Sequence, residues 1–307
     1  MGLSILFLGF VILIILGVPI AFVLGLTSLV TIGATEGLPL VVLVQRMFVG
    51  LNSFVLLCIP FFMLAGGLMN SAGISERLIR FSRALVGHIA GGLAHINVVV
   101  SMFFAGVSGS STADTAGIGR ILIPAMIKEG YTKEISVAVT ACSSTLGVVI
   151  PPSILMVIYG SVANVSIGGL FLGGVIPGIL IGFSQMGIIY YQAVKYGYPK
   201  YERVSFKELI KAFADSFLAL LTPVIIIGGI IFGVFTPTEA AVVACVYSLI
   251  LGLFVYKTIR FRDLPKIFSE NALLCSLTIF CVATATVFGW LLAYYNIDRK
   301  STRLNSS

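Results

Sequence analysis

Long apolar runs separated by short charged stretches set the pattern of this chain. Residues 1–35 and 216–238 contain no Asp, Glu, Lys or Arg apart from the boundaries beyond them. Runs of this kind match the roughly 20 apolar residues that a membrane-spanning helix needs. Strands would show a two-residue alternation instead, so helices are the expected spanning form. The pattern places spans at 53–72, 135–162, 168–193, 216–235, 238–256 and 271–296, with a further apolar stretch over 89–127. The run at 3–32 is interrupted at Gly17-Val18-Pro19, which permits one long kinked helix or two short ones. Residues 36–52 form a polar-tinged connector.

Composition sharpens this reading. Hydrophobic residues make up 58% of the 307 and charged ones 10%, whereas a soluble domain carries about 25% charged residues. Too little polar surface is available to coat a globule in water, so apolar surface must face lipid. The formal net charge of +7 is no nucleic-acid footprint, because the basic residues cluster in short loops between spans. Arg77, Arg80 and Arg83 form one such group, Lys195 to Lys211 a second, and Lys257 to Lys266 a third. The positive-inside rule puts all three in the cytoplasm. The five Cys lie in apolar segments without metal-ligand spacing and are expected as small core or lipid-facing residues.

With all three basic loops on one side, the spans at 135–162 and 168–193 take the chain out and back once. The stretch 89–127 must then begin and end on the same side, so it is a hairpin, of either two full spans or one re-entrant pair. After its polar tip about 13 residues, 115–127, are left for the second arm. At 1.5 Å per residue that is roughly 20 Å, short of the roughly 30 Å hydrocarbon core. A re-entrant hairpin ending inside the membrane is expected.

The tip reads Gly106-Val107-Ser108-Gly109-Ser110-Ser111-Thr112-Ala113-Asp114-Thr115. Non-helical backbone at membrane depth survives only where protein or a water-filled cavity satisfies it. Such a break exposes carbonyls that can coordinate Na⁺ and amides that attract a carboxylate. The plainer alternative is a turn in which Asp114 or Ser111 caps the second arm. A second break lies at Ser143-Ser144-Thr145-Leu146-Gly147-Val148-Val149-Ile150-Pro151-Pro152-Ser153, where two prolines free the carbonyls upstream. Its plainer alternative is a proline kink. The expected ion site is Ser108, Ser110 and Ser111 facing Ser144, Thr145, Gly147, Val148 and Pro151, with Thr112, Asp114 and Ser153 toward substrate. Arg120, on the second arm, either pairs with an acid or snorkels. Thr236-Pro237-Thr238-Glu239 fits a capping box that opens a span. His88, His95 and Asn97 are expected to make structural hydrogen bonds.

Two of these stretches, with Ile59–Gly73 (IPFFMLAGGLMNSAG) and Gly233–Ala241 (GVFTPTEAA), carry a family resemblance. The chain resembles the large membrane subunit, of DctM type, of tripartite ATP-independent periplasmic (TRAP) transporters. The resemblance implies an all-α polytopic elevator-type transporter of inverted repeats, each with a re-entrant hairpin and a broken helix. It implies Na⁺-coupled uptake of a C4-dicarboxylate, sialic acid or keto acid across a bacterial or archaeal cytoplasmic membrane, with no cofactor. The expected partners are a periplasmic substrate-binding protein and a small four-helix membrane subunit. The organisation that follows is N-terminal scaffold helices (1–72), a cytoplasmic basic segment (73–88), a transport region (89–193), a connector (194–215) and the start of a second repeat (216–297). The second hairpin is not found. Residues 298–307 (DRKSTRLNSS) resemble a translated sequencing adapter and are expected to be non-native, the natural chain continuing beyond residue 297. Two other readings compete. One is an elevator-type Na⁺/anion symporter that works without a binding protein. The other is an intramembrane serine protease using the Gly106-Val107-Ser108-Gly109 motif. No His follows His95, and a helix over 95–108 would hold that pair about 20 Å apart.

Overall fold

The computed structural model describes residues 2–35 and 37–295; the adapter-like residues 298–307 lie outside them. The described residues contain helices and no strands. Five helical segments are long and apolar enough to cross a membrane: Phe54–Ser71, Ile167–Tyr196, Phe206–Ile231, Pro237–Val255 and Phe261–Tyr294. The chain divides into two compact units, one of residues 57–271 and one of residues 2–56 with the segment from Ala272.

In the smaller unit the Gly17-Val18-Pro19 interruption separates two helices, α1 (Gly2–Ile15) and α2 (Ile20–Gly33). Gly17 turns the chain at φ 75°, a conformation open to glycine without a Cβ penalty. The helices pack side by side, with a Cβ at Gly9 lying 3.3 Å from Thr27 Cγ2. The connector proves helical, as α3 (Val41–Leu51). Its apolar positions recur at helical spacing, and Arg46 sits 4.7 Å over the Trp290 ring. Leu6, Ile32, Val287 and Leu291 form the buried core of this unit.

The larger unit is built around α6 (Gly92–Ser108). This helix is mostly apolar and buried along most of its length, as expected for a helix surrounded by others. It is flanked by α4 (Cys58–Ser71), α5 (Ile74–Val86), α7 (Ser111–Lys128), α8 (Lys133–Ser144), α10 (Ile167–Tyr196) and α11 (Phe206–Ile231). Between α8 and α10 lies α9 (Ile154–Ala163); α12 (Pro237–Ile250) packs on α4, and α13 (Leu264–Tyr294) follows. The boundary between units falls at 56/57, which puts α4 together with the hairpin. A close approach explains this: a Cβ on Gly66 would stand 3.1 Å from Ser108 Cα. Another close approach runs along α10, where Gly174, Gly178 and Gly182 recur at every fourth position. A Cβ at Gly174 would meet Val149 O at 2.5 Å, and one at Gly182 would meet Met102 Sδ at 2.6 Å. Gly178 lies against Ile150 in the same way.

The capping boxes follow local sequence. Thr236 Oγ1 accepts from Glu239 N at 3.3 Å while Glu239 Oε2 accepts from Thr236 N at 2.8 Å, and Pro237 opens α12. Ser205 and Glu208 make the equivalent box at the start of α11.

The three basic segments gather at one end of the larger unit. The Arg83 guanidinium lies 4.1 Å over the Tyr201 ring and that of Arg77 3.9 Å over Tyr256. Ser216 Oγ donates to Arg77 O at 3.0 Å. Both ends of the α6–α7 hairpin meet this same face, since Gly91 N donates to Pro199 O at 3.2 Å and Tyr131 stacks on Tyr198 at 4.3 Å. The hairpin therefore enters and leaves on one side. One detail of the sequence reading is corrected. The second arm is not 13 residues but 18, from Ser111 to Lys128, about 27 Å at the helical rise. The reason is that Ser110 caps the arm, so Ser111 to Asp114 form its first turn instead of a loop. The hairpin still ends within the fold: its tip bonds to the first residue of the ten-residue α9, which runs on to Ala163.

Candidate functional site

At the tip, α6 stops because Gly109 adopts φ 60°, with its amide bonded to Ala105 O at 3.2 Å. A left-handed residue at this position ends a helix most easily as glycine. Ser110 then takes an extended conformation and caps α7, its Oγ accepting from Ala113 N at 3.4 Å. The cap is thus Ser110, not Asp114 or Ser111. Asp114 turns inward. Its side chain is fully buried, Oδ1 accepts from the Ser108 hydroxyl, and Oδ2 has no hydrogen-bond partner. Ser108 Oγ also accepts from Ser110 N at 3.2 Å.

The second break begins where α8 tightens into a 3₁₀ turn, Thr145–Val148. Pro151 and Pro152 follow, joined by a cis peptide. Neither offers an N–H, so the carbonyls of Gly147 and Val148 lose their next-turn donors. Ser153 compensates in part: its hydroxyl donates to Val148 O at 2.8 Å and accepts from Met156 N at 3.4 Å, capping α9.

The two breaks meet. Ile154 N donates to Gly109 O at 3.2 Å, and Thr115 Oγ1 lies 2.6 Å from Ser144 Oγ. Gly147 fits directly beneath the tip; a Cβ there would lie 2.5 Å from Asp114 Oδ2 and 3.2 Å from Ser110 C and Ser111 N. Below this junction a buried polar chain joins α6 to α8. Asn97 Nδ2 donates to Thr140 Oγ1 at 2.7 Å, Ser143 Oγ to Asn97 Oδ1 at 3.2 Å, and Ser101 Oγ to Ser143 Oγ at 3.0 Å.

Of the sequence candidates, Ser108, Ser110, Ser111, Asp114, Ser144 and Gly147 come together. Pro151 is buried in the break. Val148 contributes a carbonyl already used by Ser153. The Thr145 hydroxyl is exposed and bonds back to Cys142 O at 2.6 Å. Thr112 is exposed at the tip surface, its hydroxyl 3.0 Å from Ser110 Oγ. Ser153 is buried and its hydroxyl is engaged in both directions, as a capping group. Thr115 and the chain of Ser101, Thr140 and Ser143 are additions. A signal for them exists in the sequence: Asn97, Ser101 and Ser108 stand four and seven apart, a polar stripe down one face of an apolar helix. Asn97 makes the structural bonds expected of it, and the buried His95 ring lies against the Ala90 carbonyl. Because α6 is continuous from Gly92 to Ser108, His95 and Ser108 lie about 20 Å apart along it. Ser108 is bonded to Asp114 and has no histidine base.

The family model of the DctM component of tripartite ATP-independent periplasmic transporters matches residues 7–305. The chain is 43% identical over 277 residues to the sialic acid TRAP transporter large permease protein SiaM of Vibrio cholerae, covering 90% of this chain and 65% of that relative. It is 35% identical to the C4-dicarboxylate TRAP transporter large permease protein DctM of Rhodobacter capsulatus, over 92% of this chain and 68% of the relative. It is 40% identical to the isethionate TRAP transporter permease protein DctMQ of Oleidesulfovibrio alaskensis, over 94% and 45% respectively. The chain thus spans between 45% and 68% of these relatives' lengths. A multi-pass membrane protein by its helices and a permease relative by its sequence, the chain belongs to the DctM component family of tripartite ATP-independent periplasmic transporters.

Proposed function

We propose that this chain carries the first ion- and substrate-binding element of a Na⁺-coupled permease for an organic acid. The observation that carries the reading is the junction of the two breaks, with the buried and unpartnered Asp114 Oδ2 at its centre. An unpaired carboxylate oxygen away from water costs several kcal/mol, and a bound cation would remove that cost. The Ser108 hydroxyl and the carbonyl of Gly147 supply the neutral oxygens that a hard alkali ion prefers. This moves Asp114 from the substrate to the ion. The substrate carboxylate would lie at the start of α7, where the Ser110 cap accounts for the Ala113 and Asp114 amides and leaves those of Ser111 and Thr112 to an anion.

The relatives are named for sialic acid, C4-dicarboxylate and isethionate, all organic anions, and substrate class here rests on that. The basic end of the larger unit would face the cytoplasm. A periplasmic binding protein would deliver the substrate and a small four-helix subunit would join the membrane assembly. The test is uptake by the full-length protein in proteoliposomes with its partners and an imposed Na⁺ gradient. Asp114→Asn and Ser108→Ala should each raise the Na⁺ concentration for half-maximal uptake about tenfold, equivalent to about 1.4 kcal/mol. Unchanged Na⁺ dependence in both, with normal membrane expression, would reduce the junction to ordinary helix caps. Uptake that proceeds without any binding protein would favour the simpler symporter.

A further inference from the structure

The exposed face of α7 carries a cation that the fold leaves unanswered. Among the described residues the one ion pair joins Lys266 to Glu270, and Arg120 has neither an ion pair nor a hydrogen bond. The two acids of the hairpin are engaged elsewhere. Asp114 turns into the junction and bonds to Ser108, and the Glu129 carboxylate takes the Tyr201 hydroxyl. Position also denies Arg120 an easy route to water. Eight residues separate it from Lys128 at the base of the arm, about 12 Å at the helical rise. Helical side chains lean toward the N-terminus of their own helix, which for α7 is the tip. The guanidinium is thus directed away from the basic end, to a depth where a charge needs an opposite one beside it.

The surroundings suit an anion. Between Arg120 and the tip, the exposed positions Ala116, Ala113 and Thr112 leave open space over the helix. Gly117, three positions from Arg120 and its neighbour on the helix surface, lies against Asn70 of α4. A Cβ there would stand 3.5 Å from Asn70 Oδ1 and 3.8 Å from Nδ2. Asn70 Oδ1 accepts from Ser75 Oγ at 3.1 Å, while Nδ2, a donor, has no partner among the described residues. Donors from two helices therefore border one strip that holds no carboxylate.

We propose that Arg120, with the Asn70 amide beside it, binds an anionic group of the carried acid and makes the protein prefer substrates with a negative group at each end. This rests on the transport reading, in which one carboxylate lies at the start of α7. From Thr112 to Arg120 is about 12 Å along the axis, and a lean of roughly one turn leaves about 7 Å between the two anion positions. A short acid charged at both ends spans that gap, and its far carboxylate meets the guanidinium fork through two N–H donors. An acid with one charge engages only one of the positions.

Thiol labelling of the full-length protein in nanodiscs tests the site without transport. Ala116→Cys in a Cys-free background is treated with an anionic and a cationic methanethiosulfonate of similar size. Relative to a free thiol, the anionic reagent should be favoured about tenfold. Arg120→Lys should keep that preference. Arg120→Gln should remove it, and so should Asn70→Asp, which sets a carboxylate beside the arginine. Succinate should slow the labelling, and Arg120→Gln should raise the half-protecting succinate concentration at least about tenfold, as for one lost charge-assisted hydrogen bond. Half-protection by isethionate, which carries one charge, should change less than about threefold. A reagent preference that survives Arg120→Gln, an absence of protection by succinate, or equal losses for both anions would overturn the inference. Protection by succinate that is the same with K⁺ in place of Na⁺ would count against the Na⁺-coupled reading and leave the Arg120 site standing.

Discussion

Gly147→Ala perturbs the junction with a single methyl group. The added Cβ would lie 2.5 Å from Asp114 Oδ2 and 3.2 Å from both Ser110 C and Ser111 N. The first distance is a carbon pressed against a buried carboxylate, and the other two involve backbone that cannot swing aside. The 3₁₀ turn must retreat from the tip, or Asp114 must leave its bond to Ser108. Overpacking of this kind costs about 1–3 kcal/mol, roughly 5–150-fold in an equilibrium. If the cation lies where the two breaks meet, the same displacement enlarges its cage. The Na⁺ concentration for half-maximal uptake should then rise at least about fivefold, with the purified protein also melting earlier. Gly187→Ala is the control, because nothing lies within 4 Å of its added Cβ and alanine is the better helix former. Gly147→Ala with unchanged Na⁺ dependence and unchanged melting would show that the tip and the break do not jointly enclose an ion.

Further outcomes are expected. Thr236→Ala removes a cap and one arm of the box with Glu239, and should lower stability by about 1 kcal/mol with Na⁺ dependence unaltered, read by thermal unfolding in detergent. Asn97→Ala removes the amide that joins Thr140 to Ser143, while each hydroxyl keeps a carbonyl of its own helix as acceptor, and should cost about 1 kcal/mol; no loss of stability would mean that water replaces the amide. A cysteine at position 203 should react with an impermeant thiol reagent only from the cytoplasmic side, and labelling from the periplasm would reverse the orientation. Burial, and after it the Glu129 carboxylate to which its hydroxyl bonds, raise the pKa of Tyr201 and favour its protonated form in the folded protein. Its contribution is complete below the ordinary tyrosine value of about 10 and is lost only as pH rises through the higher folded value. Amide hydrogen exchange at Gly91 and Gly92, which both donate to Pro199 O, corrected for the intrinsic pH effect, should therefore be flat from about pH 6 to 9.

The spans, the loop between the hairpin legs and the two interruptions were legible because each rests on a strong local signal: absence of charge, basic clusters, or prolines without N–H groups. The meeting of the interruptions was also anticipated, since unpaired backbone at membrane depth must find partners. What could not be read was the division of labour within the serine-rich run. Hydroxyls at Ser108, Ser110 and Ser111 are equivalent in sequence, and only their backbone angles make one a partner of Asp114 and another the cap. Ser153 was placed toward the substrate, yet its hydroxyl is taken up by Val148 O and by capping α9 after the two prolines. The length of the second arm was underestimated for a related reason: a polar first turn resembles a loop until its cap is known. The packing of residues 198–201 against the base of the hairpin has no local signature, because its partners, from Arg83 to Tyr131, lie far earlier in the chain.

The glycine ridge of α10 bears on how the protein is made. Residues 145–153 emerge from the ribosome before Gly174, Gly178 and Gly182, the surface on which Val149, Ile150 and Met102 come to rest. The interrupted stretch is consequently synthesised before its mould. Until α10 arrives, the carbonyls released by Pro151 and Pro152 must be sheltered by the insertion machinery or by the α6–α7 hairpin alone. Side chains larger than glycine along that ridge would thus be felt first as a failure of biogenesis, with nascent chains degraded, before any defect could be measured in the mature protein.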